Sequence, residues 1–454
     1  MLFNFLFARR HQGVFILRIE DTDRERSRKE FEDDIIEHLA WLGISWDEFH
    51  RQSERLESHK AHLQKLLETK KAFYCAHAKE ELEAEHHKQA EHKEIPRHVC
   101  TQRDEGREEG IIRLRNDAMG NLTFKDLIRG DIAFDASLLG DISIARTLES
   151  PLYNFVVVVD DAQMQITHVI RGEDHIPNTP KQLLIQQALG FTPPLYAHLP
   201  LLLGSDRSKL SKRHGDTAMH DYRAEGYLPE AMINFMALLG WNPALKEQGS
   251  PQGPKRDREI FTMDELIKEF SLEKVQKAGA IFNEEKLAWI NHAYIQKFSV
   301  EKLAEHLKPF IEKTGMNVSP ELTRRIAHVE QPRLSRLKDI EEHIALYTEP
   351  PVYERELLPW KGTQDYDEIK NHLAKGRILL CDIVDEEFCN LKRLEDALMP
   401  YAAAHGKGNV LWPLRAALSG REKSPGPFEI MYVIGKEETI RRIDNALQLI
   451  TSAT

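Results

Sequence analysis

Cysteine is scarce in this 454-residue chain: Cys75, Cys100, Cys381 and Cys389 are all there is. Four thiols cannot staple a protein of this size, so no disulfide framework is read, and a reducing cytoplasm is the natural compartment. Long apolar runs are missing too, since none reaches the roughly 18 residues a membrane-spanning helix needs. The opening MLFNFLFARR is apolar and then basic. That order is the reverse of a secretory leader, and no small-residue cleavage site follows. Positive charge is in short supply, with a formal net charge of −11. This argues against coating nucleic acid through overall charge, while local basic patches remain able to meet RNA. No internal repeat or low-complexity tract appears, which sets aside solenoids and long disordered arms.

What is present is ordinary globular material, 41% apolar and 30% charged, at a length that suggests about three domains. Residues 1–73 read as α/β. An apolar run at 14–19 ends in Glu20-Asp21-Thr22-Asp23. A helix is then expected, with Ser27 and Glu30 as a capping box, Phe31, Ile35, Leu39 and Leu42 at helical spacing, and Gly43 as its stop. Residues 74–110 are polar, helical and histidine-rich; 111–150 read as strands with Gly/Asp turns at 120–121, 130–131 and 140–141, so that 74–149 forms an inserted subdomain. The α/β pattern returns at 150–215. Strands are expected at 155–159, 165–170 and 196–203, with a helix capped by Thr179, opened by Pro180 and ended by Gly190. The stretch 246–258 reads as a surface loop, and from 299 onward nearly everything reads as helix.

Three clusters carry chemistry. Lys209-Leu210-Ser211-Lys212-Arg213 puts three cations in five residues after a strand and a Gly/Ser/Asp turn. Such a loop can close on a triphosphate and hold charge developing on a leaving group. Glu20 and its acidic neighbours end a strand, where open α/β sheets bind ligands, and Glu20 suits a substrate amino group. Arg171-Gly172-Glu173-Asp174-His175 follows another strand. There Arg171 suits a carboxylate and Asp174 suits ribose or amine donors. Tyr153 and Asn154 stand before a third run and line the same crevice if the sheet is doubly wound. Each cluster alone also fits a blander role: a solvated basic loop, an acidic turn, an internal ion pair. Their convergence at strand ends favours the functional reading.

With these residues in place, the chain resembles glutamyl-tRNA synthetases, which are class I aminoacyl-tRNA synthetases, over essentially its whole length. The resembling segments include FILRIEDTDRERS, PLYNFVVVVDDAQMQITHVIRGEDHIPNTPKQLL, KLSKRHGD and PLRAALSGREKSPGPFEI. The resemblance implies a doubly wound parallel, Rossmann-like catalytic domain at 1–73 and 150–215. It implies an α+β insertion at 74–149 that meets the tRNA acceptor end, a stem-contact region at 216–300, and an all-α anticodon-binding domain at 301–454. Lys209, Ser211, Lys212 and Arg213 match the second class I signature, with Lys212 on phosphate. Glu20, Tyr153 and Arg171 match residues around glutamate, and Asp174 and His175 the stretch beside adenosine. The implied reaction joins L-glutamate to tRNA(Glu) through glutamyl-adenylate, using ATP and Mg2+, in a monomeric cytoplasmic ligase of protein biosynthesis.

The family's first strand and HIGH signature precede the segment seen here as residues 2–9, and no His-x-Gly-His occurs in this sequence. The chain as written is therefore expected to be poorly active, with activity restored by an upstream segment carrying both. The alternatives are a non-catalytic tRNA-binding paralogue and, less favoured, a glutaminyl-tRNA synthetase, whose C-terminal region is built from β-barrels.

Cys75-x-His77 and His98-x-Cys100 form two short pairs twenty residues apart, a spacing that suits tetrahedral zinc. Some glutamyl-tRNA synthetases carry zinc in this insertion through a Cys-x-Cys pair and a later Cys; here His77 replaces the second Cys. Structural Zn2+ is expected, against a metal-free variant. His86, His87 and His92 fit a solvated helix face, and Arg324, Arg325, Arg333 and Arg336 are candidates for reading single-stranded bases.

Overall fold

The apolar run at 14–19 forms strand β1 (Ile16–Ile19) in the computed structural model, which describes residues 1–22, 27–210, 218–243, 258–361 and 365–452. Most of the expected loop at 246–258, and Asp23 of the acidic cluster, lie outside the described residues. The chain separates into two units, Met1–His220 with Pro229–Leu287, and Asp221–Leu228 with Ala288–Thr454.

In the first unit, α1 (Leu2–Arg10) buries Leu2, Phe3, Phe5 and Leu6. β1 pairs in parallel with β2 (Glu48–Arg51) across α2 (Lys29–Trp41), a βαβ unit. The N-cap of α2 is Arg28, so Ser27 stands outside the helix and the expected capping box is not made. Glu30 and Glu32 in the first turn complement the helix dipole instead. Phe31 and Ile35 are exposed; Leu39 and Leu42 are the buried members of the expected stripe. Gly43 ends the helix at φ 70°.

Next come α3 (Leu56–Glu68), β3 (Ala72–Cys75) and the polar, unburied α4 (Lys79–Glu91). The strands β4 (Ile111–Leu114), β5 (Asn121–Asp126), β6 (Gly130–Asp135), β7 (Ile142–Thr147) and β8 (Ser150–Pro151) do not all join one sheet. β3, β4, β7 and β8 make an antiparallel sheet, while the β5–β6 hairpin is added to the parallel pair β9 (His168–Gly172) and β10 (Leu195–Leu199), in the order β6-β5-β10-β9.

The run at 155–159, expected as a strand, is the heart of helix α5 (Tyr153–Gln163). A short all-apolar run has no periodicity to separate strand from buried helix. Here Phe155, Val156, Val157, Val158 and Val159 are all buried, because α5 is enclosed by α3, β7 and α6 (Thr179–Leu189). Each such side chain contributes about 1.5–3 kcal/mol by burial, which outweighs the few tenths by which β-branching disfavours helix. Asp160, fully buried, ties α5 to the 3-10 turn at Gln52–Arg55 by accepting from Arg55 Nε at 2.8 Å and Gln52 Nε2 at 3.1 Å, and to α3 through His59 Nε2 at 2.8 Å.

Three smaller differences have local causes. Asn178, not Thr179, is the N-cap of α6, and the Thr179 hydroxyl is engaged by Arg171. The strand expected at 165–170 starts at His168. The strand expected at 196–203 breaks into β10 and β11 (Leu202–Leu203) around Pro200, which has no N–H to give a ladder. The unit is completed by α8 (Pro229–Leu238), α9 (Met263–Glu269) and β12 (Ala280–Ile281), which pairs with β11. The chain passes between units within α7 (Met219–Ala224), at the start of α8 and within α10 (Glu284–Ile295).

The second unit has no strand among its described residues. Its longer helices are α11 (Val300–Lys313), α12 (Pro320–Glu330), α15 (Tyr366–Cys381), α17 (Leu391–His405), α18 (Lys407–Ser419) and α19 (Pro427–Ser452), the last broken into two by a kink at Gly435 (φ 80°), with the short α13 (Ile340–His343), α14 (Ala345–Thr348) and α16 (Asp385–Phe388) between them. Ser299 and Ser319 cap α11 and α12 by accepting from Lys302 and Leu322 amides. Buried Arg442 donates to the carbonyls of Leu346, Glu349 and Leu418, satisfying helix ends that would otherwise be orphaned. Among the described residues no helix is long and apolar enough to cross a membrane.

Candidate active site

β9 ends at Gly172, and the chain turns back through a 3-10 segment, Glu173–Asn178. A Cβ on Gly172 would lie 2.5 Å from Asp174 Oδ1, so glycine is what lets Asp174 fold over the strand end. Asp174 Oδ2 meets Lys209 Nζ at 2.9 Å. That hydrogen bond holds the Asp174 carboxyl below the usual aspartate range. Lys209 is aimed by a tight turn at 204–208, in which the Gly204 amide donates to the Ser208 carbonyl at 2.9 Å and Arg207 sits at φ 63°. Ser211, Lys212 and Arg213, the rest of the cationic cluster, lie outside the described residues.

Tyr153 opens α5 and brings its hydroxyl to 3.4 Å from His175 Nδ1. Burial raises the Tyr153 pKa, and the charge of Glu20 raises it further, so the phenol is a donor at neutral pH. Burial lowers the His175 pKa, and the positive charge of Arg171 acts in the same direction. The charges of Glu20, just after β1, and of Arg171 in β9 both act on the Tyr153 hydroxyl, in opposite directions. Arg171 Nη2 donates to Thr179 Oγ1 at 2.8 Å, its Nε to His198 Nε2 at 3.2 Å, and the guanidinium lies 5.5 Å from the Tyr196 ring centre.

Glu20 is 3.3 Å from Arg18 Nη2, whose Nη1 is 2.8 Å from Asp161 Oδ1. Burial raises both carboxyls against the opposing pull of Arg18. The geometry therefore brings Glu20, Tyr153, Arg171, Asp174, His175 and Lys209 to one side of the first unit. Four further residues of this neighbourhood, Asp126, Asp161, Thr179 and His198, carry no sequence signature of a site, whereas Arg18 heads the acidic strand-end cluster. A lone histidine in an apolar strand and an aspartate before a Gly/Asp turn look like core and turn residues.

A second cluster lies at the junction of β3 and β4. Cys75 Sγ is 3.4 Å from His77 Nδ1 and 3.6 Å from His98 Nε2, and Cys100 Sγ is 3.6 Å from His77 Nδ1. All four ligand atoms fall within 4.8 Å of one another. Edges of a zinc tetrahedron with Zn–S near 2.3 Å and Zn–N near 2.0–2.1 Å measure about 3.3–3.8 Å, so the donor set fits the ion. Glu85 lies 2.5 Å from His98 Nδ1, the partner expected on the far nitrogen of a metal-bound imidazole. Gly110 at φ 126° and Gly140 at φ 60° press their backbones on this site, where a Cβ would come within 2.4 Å of the Cys75 carbonyl and 2.5 Å of the His98 carbonyl. Cys381 and Cys389 are exposed free thiols.

In the second unit, Arg324 and Arg325 both pair with Glu321 at 3.1 Å, Arg333 with Glu429 at 2.7 Å, and Arg336 with Glu225 at 2.7 Å. Each of the four arginines is thus already in an ion pair.

The model of the tRNA synthetases class I (E and Q) catalytic domain matches residues 1–289, and an anticodon binding domain model matches residues 302–447. The chain is 42% identical over 464 residues to the glutamate–tRNA ligase of Aquifex aeolicus, covering 98% of this chain and 94% of the relative. It is 40% identical over 471 residues to that of Carboxydothermus hydrogenoformans, covering 98% and 95%. A crystal structure of the glutamate–tRNA ligase of Elizabethkingia meningosepticum in complex with its amino acid superposes with a TM-score of 0.85 at 31% identity, over 98% of this chain and 95% of the other. Signature loops, strand-end clusters and full-length similarity converge, and the chain belongs to the glutamate–tRNA ligase family of class I tRNA synthetases.

Proposed function

We propose that the protein attaches L-glutamate to tRNA(Glu) at the expense of ATP, which enters as its magnesium salt. The observation that carries the reading is the grouping of Lys209 with Asp174, and of Tyr153 with His175, beside Arg171 and Glu20. In the first step the glutamate α-carboxylate attacks the ATP α-phosphate, giving glutamyl-adenylate and pyrophosphate. Arg171 and Tyr153 hold the amino acid and Glu20 takes its ammonium group. Asp174 and His175 lie along the adenosine, and Lys209, with Ser211, Lys212 and Arg213, neutralises the departing pyrophosphate. In the second step a terminal ribose hydroxyl of the tRNA attacks the activated carbonyl and releases AMP. Positioning and electrostatics supply the acceleration; a single well-placed donor in such a site is worth about 10²–10³ in rate.

The catalytic domain is assigned to 1–73 and 150–215, acceptor-end contacts to 74–149, stem contacts to 216–300, and anticodon recognition to 301–454. The Cys75, His77, His98 and Cys100 quartet would hold a structural Zn2+ that fixes the base of the insertion. The protein is read as a cytoplasmic monomer, which light scattering in solution checks. Glutamate- and tRNA-dependent exchange of pyrophosphate into ATP, followed by charging of tRNA(Glu), tests the assignment. Charging with glutamine instead would replace it with the sister activity. tRNA binding without exchange in the start-extended protein, which carries the upstream strand and HIGH segment, would make it a non-catalytic paralogue.

A further inference from the structure

We infer that Asp126 and His198 are positioning residues for Arg171: Asp126 fixes the ring of His198 so that it presents a hydrogen-bond acceptor to the guanidinium. The inference rests on the reading of Arg171 as a holder of glutamate. β5 runs out of the insertion beside β10, with Asp126 in register with Tyr196. Asp126 is 1% exposed, and its carboxylate accepts from the amides of Ile128 at 2.9 Å, Arg129 at 2.7 Å and His198 at 3.0 Å. His198, fully buried, completes the set with Nδ1 at 2.6 Å from Asp126 Oδ2. Burial alone would raise the Asp126 pKa, but the hydrogen bond from His198 and those from the backbone outweigh it and hold the pKa below the usual range.

A carboxylate can only accept, so Nδ1 carries the ring proton. On the other edge, Nε2 faces the Arg171 Nε–H at 3.2 Å and the Thr179 hydroxyl at 3.2 Å. A guanidinium can only donate, so Nε2 is a bare acceptor and the ring is neutral. The opposite tautomer, or a doubly protonated ring, would set N–H against N–H. Thr179 closes the circuit by accepting from Arg171 Nη2 at 2.8 Å. These bonds use Nε and one Nη2 hydrogen and leave the rest of the fork for a ligand carboxylate. A buried chain of this kind costs stability unless every member is satisfied, and the one that is satisfied here ends on the side chain facing the site.

Asp126→Asn preserves shape but offers an amide N–H to Nδ1, which forces the ring proton to Nε2, against Arg171. In tRNA-dependent pyrophosphate exchange, the expected result is a rise of about tenfold in KM for glutamate, with kcat and KM for ATP within about twofold. His198→Gln can place a carbonyl oxygen near Nε2 and is expected to stay within about threefold of the unaltered chain. Any other pattern in folded Asp126→Asn protein, such as both KM values rising together or neither moving, overturns the inference. Nitrogen NMR of ¹⁵N-histidine-labelled, unaltered protein gives a second decision that needs neither turnover nor the Asp126→Asn variant. The His198 signals, assigned by their loss in His198→Gln, are expected to show a protonated Nδ1 and a bare Nε2; the reverse overturns the link. Absence of glutamate-dependent exchange in the start-extended chain fails the functional reading, while the tautomer still decides whether Asp126 governs His198.

Discussion

Lys209 Nζ and Asp174 Oδ2 form an ion pair at 2.9 Å, with both side chains largely in solvent, 62% and 45% exposed. An exposed pair of this kind contributes at most about 1 kcal/mol to folding, so its value must lie in what it holds ready. Replacement of Lys209 by alanine is expected to leave the melting temperature nearly unchanged and to lower pyrophosphate exchange about a hundredfold. An equal fall in stability and rate would instead make the pair a structural brace.

The quartet in the insertion predicts a metal content near one zinc per chain in purified protein, measured by elemental analysis. Cys100→Ala should abolish it and expose the insertion to proteolysis between Ala78 and Arg97. Gly140→Ala should weaken zinc retention although it alters no ligand, because the new Cβ would collide with the His98 carbonyl. Full zinc content in Cys100→Ala would sink the assignment.

In the second unit, His343 Nδ1 lies 2.8 Å from Glu330 Oε2, and Tyr347 also bonds this glutamate. The hydrogen bond to Glu330 raises the His343 pKa from 6.5. Glu330 is lowered from 4.5, because bonds from His343 and Tyr347 outweigh its burial. A raised histidine stabilises fully below its unfolded value and loses that contribution as pH climbs through the folded one; a lowered glutamate stabilises above its unfolded value and loses it as pH falls. The pair is therefore worth most between about pH 4.5 and 6.5. Chemical denaturation should show His343→Gln costing about 1–2 kcal/mol at pH 5.5 and clearly less at pH 9. A cost independent of pH would refute the coupling.

Arg18 stands between Asp161 and Glu20, two carboxyls that burial already raises. Removing the cation in Arg18→Met should cost about 3 kcal/mol at pH 8. The sign with pH is opposite to the usual carboxylate case. A raised folded pKa means the native state binds protons more tightly, so the deficit should narrow as pH falls toward 5. Urea titrations at both pH values measure it.

Much of this molecule was legible in residue order because short-range chemistry repeats. Gly43 and Gly190 end helices where a left-handed residue is needed. Two Cys/His pairs across a helical gap came together as a quartet because the Ala76 amide donates to Gln102 Oε1 at 2.8 Å and the Cys100 amide to Asp141 Oδ2 at 2.8 Å, which holds the loop carrying His98 and Cys100 beside the end of β3. The run at 155–159 was not legible, since a strand and a helix buried all round look alike when every residue is apolar. Asp126 and His198 were less legible still. They lie 72 residues apart, and only the parallel pairing of β5 with β10 makes them partners.

That pairing changes what the insertion is. Because the β5–β6 hairpin is stitched into the same sheet as β9 and β10, the insertion proposed at 74–149 is not a cassette that can be lifted out. A chimaera that borrows this stretch from a relative also imports the carboxylate beneath the recipient's arginine. If Arg171 holds glutamate as proposed, donor residue 126 and recipient residue 198 have to be matched as a unit, and an exchange designed on the surface loops alone alters amino-acid affinity from below.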